Sequence, residues 1–304
     1  MNANLPVVSI VIPAFNCARY LKEAIDSVLC QDYPLIELIV LDDGSTDETS
    51  DILKEDKRKF FRASHANIGQ AATLNKGWDI AKGELLGYLS ADDALLPNAV
   101  SASVSSLKHN DAAVLSYCDY YLMDDSSSVT GRYDAPDYDY VEMLTRTLCF
   151  PGPGVIFRRQ AFLEAGHWDV RLNQVPDYDY WLRLGLVGSF IRISKPLAKF
   201  RVHSASQTCG FVDEEKSDEV IDVLSRFFSM DGLSPELMAL RGKSMSSACL
   251  FSASLHFRSG RYSKALGRIR QALINQPGSL FSVLSLQRLA YGLFFKSRKK
   301  WSVH

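Results

Sequence analysis

Three apolar runs, each ending abruptly in polar or acidic residues, constrain the fold of this chain more than any other feature. Residues 7–12, 35–41 and 85–89 are rich in Val, Ile and Leu. They have the length of buried strands and are too short for helices. The first run ends at Pro13, Ala14, Phe15 and Asn16, the second at Asp42 and Asp43, and the third at Ser90, Ala91, Asp92 and Asp93. Between the first two, Leu21, Ala24, Ile25, Val28 and Leu29 follow the stripe of a helix lying on a sheet. Asn16 is placed to cap that helix, and Ser45 with Glu48 has capping-box spacing for a second one through Ile52 and Leu53. A short strand at 60–63, a polar turn at 65–69 and a helix at 71–81 broken by Gly83 continue the alternation. Strand and helix alternating at this spacing predict an α/β fold with a Rossmann-like, mainly parallel sheet flanked by helices.

Farther along, strands are expected at 112–123, around Gly131, after a Gly/Pro loop at 151–154, and at 190–202. Helices are expected at 161–165 and 177–186. From residue 212 strand signals cease, which divides the 304 residues into an α/β domain, 1–211, and a helical region, 212–304. Leu255, Gly260, Tyr262, Ala265, Ala272, Leu273 and Pro277 have the spacing of one tetratricopeptide-like hairpin. A single such unit cannot bury its own face, so it is expected to pack on its neighbours. The tail is apolar over 280–295 and then carries Lys296, Arg298, Lys299, Lys300 and Trp301. A tail of this kind can lie on an anionic membrane surface, or simply end a helix in solvent.

Composition removes several classes of function. The formal net charge of −1 offers no field for nucleic acid. Six scattered cysteines without a CxxC pair suit reduced thiols in a cytoplasmic protein rather than a disulfide frame or a zinc site. The first residues lack the pattern of a signal peptide, and no apolar run approaches the roughly 20 residues needed to span a bilayer. The expected location is the cytoplasm, with the basic tail able to touch the inner face of the membrane.

The strand ends carry the chemistry. In a parallel sheet Asn16, Asp42, Asp43, Asp92 and Asp93 share one rim, where ligands of α/β sheets bind. Hard carboxylates suit Mg²⁺ or Mn²⁺, which complete their shells with phosphate and water. A nucleoside diphosphate would supply that phosphate. In isolation, Asp92 and Asp93 read equally well as a cap on the next helix. There is no GxxxxGK[ST] loop and no GxGxxG fingerprint, which argues against a P-loop NTPase and a dinucleotide oxidoreductase.

Several motifs then occur in order. They are SIVIPAFN from Ser9, ELIVLDDGSTD from Glu37, NIG from Asn67 with LNKG from Leu74, and GE from Gly83 leading into LSADD at 89–93. GVIFRR from Gly154, GHWD from Gly166, DYDYWLRL from Asp177 and RVH from Arg201 complete the set. Over residues 7–207 the chain resembles the family 2 glycosyltransferases of GT-A fold, of the bacterial cell-surface glycan type. The resemblance implies that Pro13, Ala14, Phe15 and Asn16 line a nucleoside pocket. It implies that Asp42, Asp43, Asn67, Gly69, Asn75, Ser90, Asp92 and Arg201 serve the nucleotide sugar, with Asp43 at the uracil or ribose. Asp92, Asp93 and His203 would hold Mn²⁺ or Mg²⁺, and Asp177 would be the general base, with Asp179 as competitor. Two positions depart from the family pattern. Ser90 stands where the first Asp of a DxD motif is usual, and Pro176 replaces the Glu before the base.

The implied activity is inverting, metal-dependent transfer of a hexosyl or N-acetylhexosaminyl group, from a UDP-sugar foremost, to a hydroxyl of a glycan or lipid-linked glycan. Such transfer belongs to assembly of cell-surface polysaccharide or lipopolysaccharide. The alternatives are transfer to a lipid phosphate and a non-catalytic binder of nucleotide sugars or glycans. The acceptor side is expected from the loop 150–154 and the polar hairpin 124–131. The QxxRW motif of processive synthases is absent, so one sugar per encounter is expected.

Overall fold

The structure is a computed structural model that describes residues 5–203, 212–278, 280 and 283–294. The strands are β1 (Val8–Ala14), β2 (Ile36–Asp42), β3 (Phe61–Ser64), β4 (Leu85–Tyr88), β5 (Ala94–Leu95), β6 (Ala113–Met123), β7 (Val129–Tyr133), β8 (Ile156–Arg158) and β9 (Ser189–Arg201). The helices are α1 (Ala18–Leu29), α2 (Thr49–Glu55), α3 (Gln70–Ile80), α4 (Ala99–Lys108), α5 (Tyr140–Arg146) and α6 (Arg159–Ala165). They continue with α7 (Pro176–Val187), α8 (Glu214–Phe227), α9 (Pro235–Ala239), α10 (Arg241–Arg258), α11 (Tyr262–Asn275) and α12 (Val283–Phe294). Two compact units result. One comprises Met1–Tyr138, Phe150–Val170 and Arg183–His203, the other Asp139–Cys149, Arg171–Leu182 and Ser204–His304.

The first unit is built on one sheet of order β3-β2-β1-β4-β8-β6-β9-β5, with β7 paired to β6. The expected parallel portion is β3-β2-β1-β4. Beyond it, β8 runs antiparallel to both β4 and β6, β9 runs parallel to β6, and β5 is antiparallel to β9. Helix α1 buries Leu21, Ala24, Ile25 and Val28 against Val8, Ile10 and Ile12, while Leu29 is left exposed. Each fully buried Leu, Ile or Val contributes about 1.5–3 kcal/mol. Val11 points to the other face, where Gly77 of α3 lets the helix backbone come against its methyls. Trp78, also on α3, packs edge-on against Phe157, Phe162 and Trp168 and donates its Nε1–H to Gly87 O at 3.1 Å.

Three local expectations are corrected. The strand expected over 85–89 ends at Tyr88, the last residue paired with β1. The chain then turns, with Asp93 N donating to Ser90 O at 3.0 Å, before β5. Asn16 does not cap α1, whose N-cap is Cys17. Its Oδ1 instead accepts from Thr46 N at 2.8 Å, and its own N–H donates to Ser45 Oγ at 2.9 Å. That leaves no capping box at Ser45 either. Asp47 serves both helix starts: Oδ2 accepts from Ala18 N at 3.1 Å and Oδ1 from Thr49 N at 3.0 Å. A carboxylate facing two helix N-termini is favoured by both dipoles.

Among its described residues the second unit is helical. Within it, α10 packs against α11, α12, α8 and α5. Its core includes Cys249, Leu250, Ala253, Phe257, Ala265 and Ala272. The hairpin-like positions Ala265 and Ala272 are fully buried, and Gly260 closes α10 at φ 76°. The expected division after residue 211 falls beside 204–211, outside the described residues, as do Lys296, Arg298, Lys299, Lys300 and Trp301 of the tail. Among the described residues no helix is long and apolar enough to cross a membrane.

Candidate functional site

Parallel register sets Ala14 opposite Asp42, so the ends of β1 and β2 are level. Pro13 and Ala14 are buried in the sheet, while Phe15, 47% exposed, and Asn16 face solvent. Asp42 accepts from Ser45 N at 3.0 Å. Asp43, 3% exposed, organises its surroundings with every acceptor it has. Its Oδ1 accepts from Ile68 N at 2.7 Å, its Oδ2 from Gly69 N at 2.9 Å, and its carbonyl from Asn67 Nδ2 at 2.9 Å. Hydrogen bonds to an ionised acceptor are about twice as strong as neutral ones. Asp43 thus shapes the loop that offers Asn67 and Gly69 to the rim. Gly44, at φ 74°, belongs to the same packing, since a Cβ there would lie 2.6 Å from Asn67 N.

Asn75, expected at the donor, has another task. Its Oδ1 accepts from Trp168 N at 3.0 Å and its Nδ2 donates to Trp168 O at 2.9 Å. Both halves of the amide are spent on one residue's backbone, which fixes the segment behind the aromatic cluster.

The segments that follow β4 and β9 meet at a second cluster. His203 Nε2 lies 3.0 Å from Asp92 Oδ2, with the two side chains 14% and 26% exposed. Arg201 is 1% exposed, and its guanidinium is directed into protein. Nε donates to Asp92 O at 2.8 Å, Nη1 to Asp124 O at 2.8 Å and Ser127 Oγ at 3.0 Å, and Nη2 to Glu23 Oε2 at 2.6 Å. Its Cζ sits 4.2 Å from the Tyr20 ring centroid. The expectation that Arg201 reaches the nucleotide sugar is therefore corrected: it ties the Asp92 loop to α1 and to the hairpin. The hairpin tip is fastened as well. Tyr20 donates to Asp125 Oδ1 at 2.8 Å, and Ser127 to Glu23 Oε2 at 2.6 Å. These bonds fix the hairpin tip to α1. Tyr20 and Glu23 had no signal in the sequence, since each acts through partners more than 100 residues away.

For a divalent ion the fit is a two-donor set. Asp92 Oδ2 and His203 Nε2 are close enough to share one ion, whose other positions phosphate oxygens and water would fill. Asp93 does not join them. It is 3% exposed, its Oδ1 accepts from Arg201 N at 2.8 Å, and burial together with the Asp92 charge pushes its carboxyl well up. Among the described residues no group of three His, Cys, Asp or Glu side chains could hold a metal ion. The expected triad of Asp92, Asp93 and His203 is thus reduced to its outer members. Ser90, half-buried, contributes its carbonyl to the turn that orients them.

In the second unit, Pro176 opens α7 where a helix tolerates proline, and Asp177 and Asp179 stand in its first turn. Asp177 Oδ2 accepts from Cys149 Sγ at 3.4 Å, and Oδ1 from Tyr178 N at 2.8 Å. Desolvation pushes the Asp177 carboxyl up, and these two donors only partly oppose it. A carboxylate so raised is suited to accept a proton. Glu219 of α8 was not foreseen. Its carboxylate accepts from Asn173 N at 3.0 Å, Gln174 N at 2.6 Å and Val175 N at 3.3 Å, and so holds the backbone that enters α7.

Comparison with other proteins gives the family and the fold. The sequence profile described as Glycosyl transferase family 2 matches residues 9–166, just over half of the chain. An uncharacterized glycosyltransferase of Rickettsia typhi is 36% identical over 217 residues, covering 68% of this chain and 67% of that protein. A chondroitin synthase of Pasteurella multocida is 27% identical over 223 residues, 72% of this chain but 23% of the synthase. Among solved structures, residues 1–349 of S. aureus TarS in complex with UDP-GlcNAc superpose with a TM-score of 0.70 at 15% identity, covering 97% of this chain and 93% of that one. The mannosyltransferase PcManGT of Pyrobaculum calidifontis, in complex with GDP-Man and Mn²⁺, gives 0.60 at 15% identity, covering 98% and 82%. The structural likenesses speak for the fold, the sequence matches for the family. The chain belongs to glycosyl transferase family 2 and has the GT-A fold.

Proposed function

We propose that this glycosyltransferase moves a sugar from a nucleotide sugar, a UDP-sugar foremost, to a hydroxyl of a glycan or lipid-linked glycan in cell-surface polysaccharide assembly. The reaction proceeds with inversion and depends on Mn²⁺ or Mg²⁺. The observation that carries the reading is the Asp92–His203 pair, a carboxylate and an imidazole 3.0 Å apart where the parallel sheet presents its ligand rim. TarS bound to UDP-GlcNAc and PcManGT bound to GDP-Man and Mn²⁺ support it by fold, and chondroitin synthase by sequence.

In this scheme Phe15 and Asn16 flank the base and ribose, and the loop held by Asp43 lies along the nucleoside. Asp92 and His203 would hold the ion, which when bound neutralises charge on the departing diphosphate. Arg201, through Asp92 O and Asp93, keeps that loop in place. Asp177 removes the proton from the acceptor hydroxyl as its oxygen attacks the anomeric carbon, with Asp179 the competing base. The donor loops lie within residues 1–211, and the acceptor side is built by the loop 150–154 and the hairpin 124–131. We place the protein on the cytoplasmic side of the membrane, touching it through the basic tail.

The test is release of UDP from a panel of UDP-sugars with Mn²⁺ or with EDTA, using wild type and Asp177→Asn. The expected result is metal-dependent release by wild type and loss of about 10²–10⁴-fold in kcat in the variant. Full turnover by Asp177→Asn would remove it from the mechanism. Release that follows a polyprenyl phosphate and ignores hydroxyl acceptors would redirect the reading to lipid phosphate. Nucleotide binding without transfer to any acceptor would make the chain a binder.

A further inference from the structure

The second unit holds a cavity of 380 Å³ with Arg258, Arg288, Gln174 and Gln287 among its walls. No acidic side chain lines it among the described residues. Arg288 is the informative one. Its Nη2 donates to Arg146 O at 2.6 Å and Thr147 O at 2.8 Å, and its Nη1 to Ser247 Oγ at 3.1 Å. These are carbonyl and hydroxyl partners, which fix the guanidinium without neutralising it. Burial, aided by Arg146 nearby, pushes its pKa down to about 10. Elsewhere in the same unit the pattern differs: Arg268 is paired with Asp218, and Arg146 with Glu142. A half-buried cation with no counter-charge among the described residues is costly, and an arriving anion relieves that cost. Arg258, 5% exposed, also lines the cavity.

We propose that this cavity is a binding site for an oxyanion, a phosphate or carboxylate carried by a larger organic molecule. With three N–H groups spent, Arg288 retains its Nε–H and one Nη1–H, which can donate to either anion. Gln174 and Gln287 offer neutral donors beside them. The space far exceeds an inorganic phosphate, and Phe251 and Tyr291 provide apolar faces for the body of the ligand. The wall is fixed on one side, because Gln174 N is held by Glu219 at 2.6 Å. The site uses none of the residues assigned to the donor or to proton removal, so it stands whether or not those assignments hold.

The experiment is isothermal titration of the full chain in EDTA with glucose 1-phosphate, glucuronate and glucose. Removing Arg288 risks the fold, since it bonds two carbonyls of the α5 turn. Gln287→Glu is the better variant: the position is exposed, and the change places a carboxylate in the cavity. Saturable binding of glucose 1-phosphate, glucuronate or both, but not glucose, is expected. Gln287→Glu should weaken it by about tenfold or more through like-charge repulsion, with an unchanged circular dichroism spectrum. Binding of the phosphate alone assigns a phosphoryl ligand, and binding of the carboxylate alone a sugar acid. Failure of both anions to bind, or equal affinity in Gln287→Glu, would overturn the proposal.

Discussion

One Asp-Asp pair closes β2 and another comes four residues after β4, the strands on either side of β1, and the fold gives them opposite tasks. In each pair the second aspartate is buried and grips backbone from elsewhere: Asp43 takes Ile68 N and Gly69 N, and Asp93 takes Arg201 N. The first aspartates differ. Asp42 is buried and turns back to Ser45 N, whereas Asp92 remains partly exposed and faces His203. An identical dipeptide is thus scaffold at one strand end and, in the proposed reading, half of a metal site at the other. The difference lies in what the neighbouring chain delivers. Beside Asp43 it is a loop that presents the N–H groups of Ile68 and Gly69; beside Asp92 it is the segment that follows β9 and carries His203.

The sharpest break between the pairs is expected from Asp92→Asn. Turnover should fall about 10³-fold, the scale of losing a partner to charge developing in the transition state, while the melting temperature stays put. Steady-state kinetics and a thermal melt check both halves. Asp43→Asn should do the reverse. Losing one of two charge-assisted N–H bonds at a buried site costs about 2–3 kcal/mol, read as a lower denaturant midpoint, with residual activity retained. If Asp43→Asn abolishes turnover without affecting stability, the two pairs are not different in kind. Asn75→Ala, which removes two bonds to the Trp168 backbone, should cost about 1–2 kcal/mol and leave KM for the donor unchanged. A raised KM would return Asn75 to the donor site.

The smallest effect concerns Asp177, a third carboxylate with few donors around it. Desolvation raises its pKa, so its neutral form is the favoured one in the fold. Its contribution to stability is therefore complete below the ordinary carboxylate pKa and lost as pH rises through the raised one. A base must be ionised, so kcat should rise with pH through that same raised value. The Cys149 thiol donates to the ionised form and lowers the pKa. Cys149→Ala should therefore move the acidic limb of kcat to higher pH, by less than about one unit, and Cys149→Ser should leave it in place. A limb moving to lower pH would contradict the hydrogen bond.

Local patterns carried the sequence reading where the physics is local. The stripe Leu21, Ala24, Ile25 and Val28 is buried as its spacing requires, and the β3-β2-β1-β4 portion follows from the βαβ alternation. Side chains that look like local caps were misread when a distant loop offered a better partner. Asn16 bonds Thr46, 30 residues on, and Ser45 accepts from Asn16 N. The same limit applies at the site. Ordered motifs pointed to Asp92, His203 and Asp177, but the division of labour inside each motif depends on contacts set by the tertiary fold. Arg201 carries the motif's charge yet spends it on Asp92 O, 109 residues away, and on Glu23, 178 residues away. Glu219 lies outside every motif and holds the entry to α7 from 44–46 residues away.

The central claim is that Asp92 with His203, and not the aspartates after β2, holds the metal. Titration of Mn²⁺ followed by electron paramagnetic resonance, in the presence of UDP, tests it on wild type, Asp92→Asn, His203→Gln and Asp43→Asn. The account predicts that wild type and folded Asp43→Asn bind Mn²⁺ alike, and that Asp92→Asn and His203→Gln each lose about tenfold or more in affinity. Unchanged Mn²⁺ binding in Asp92→Asn would contradict it.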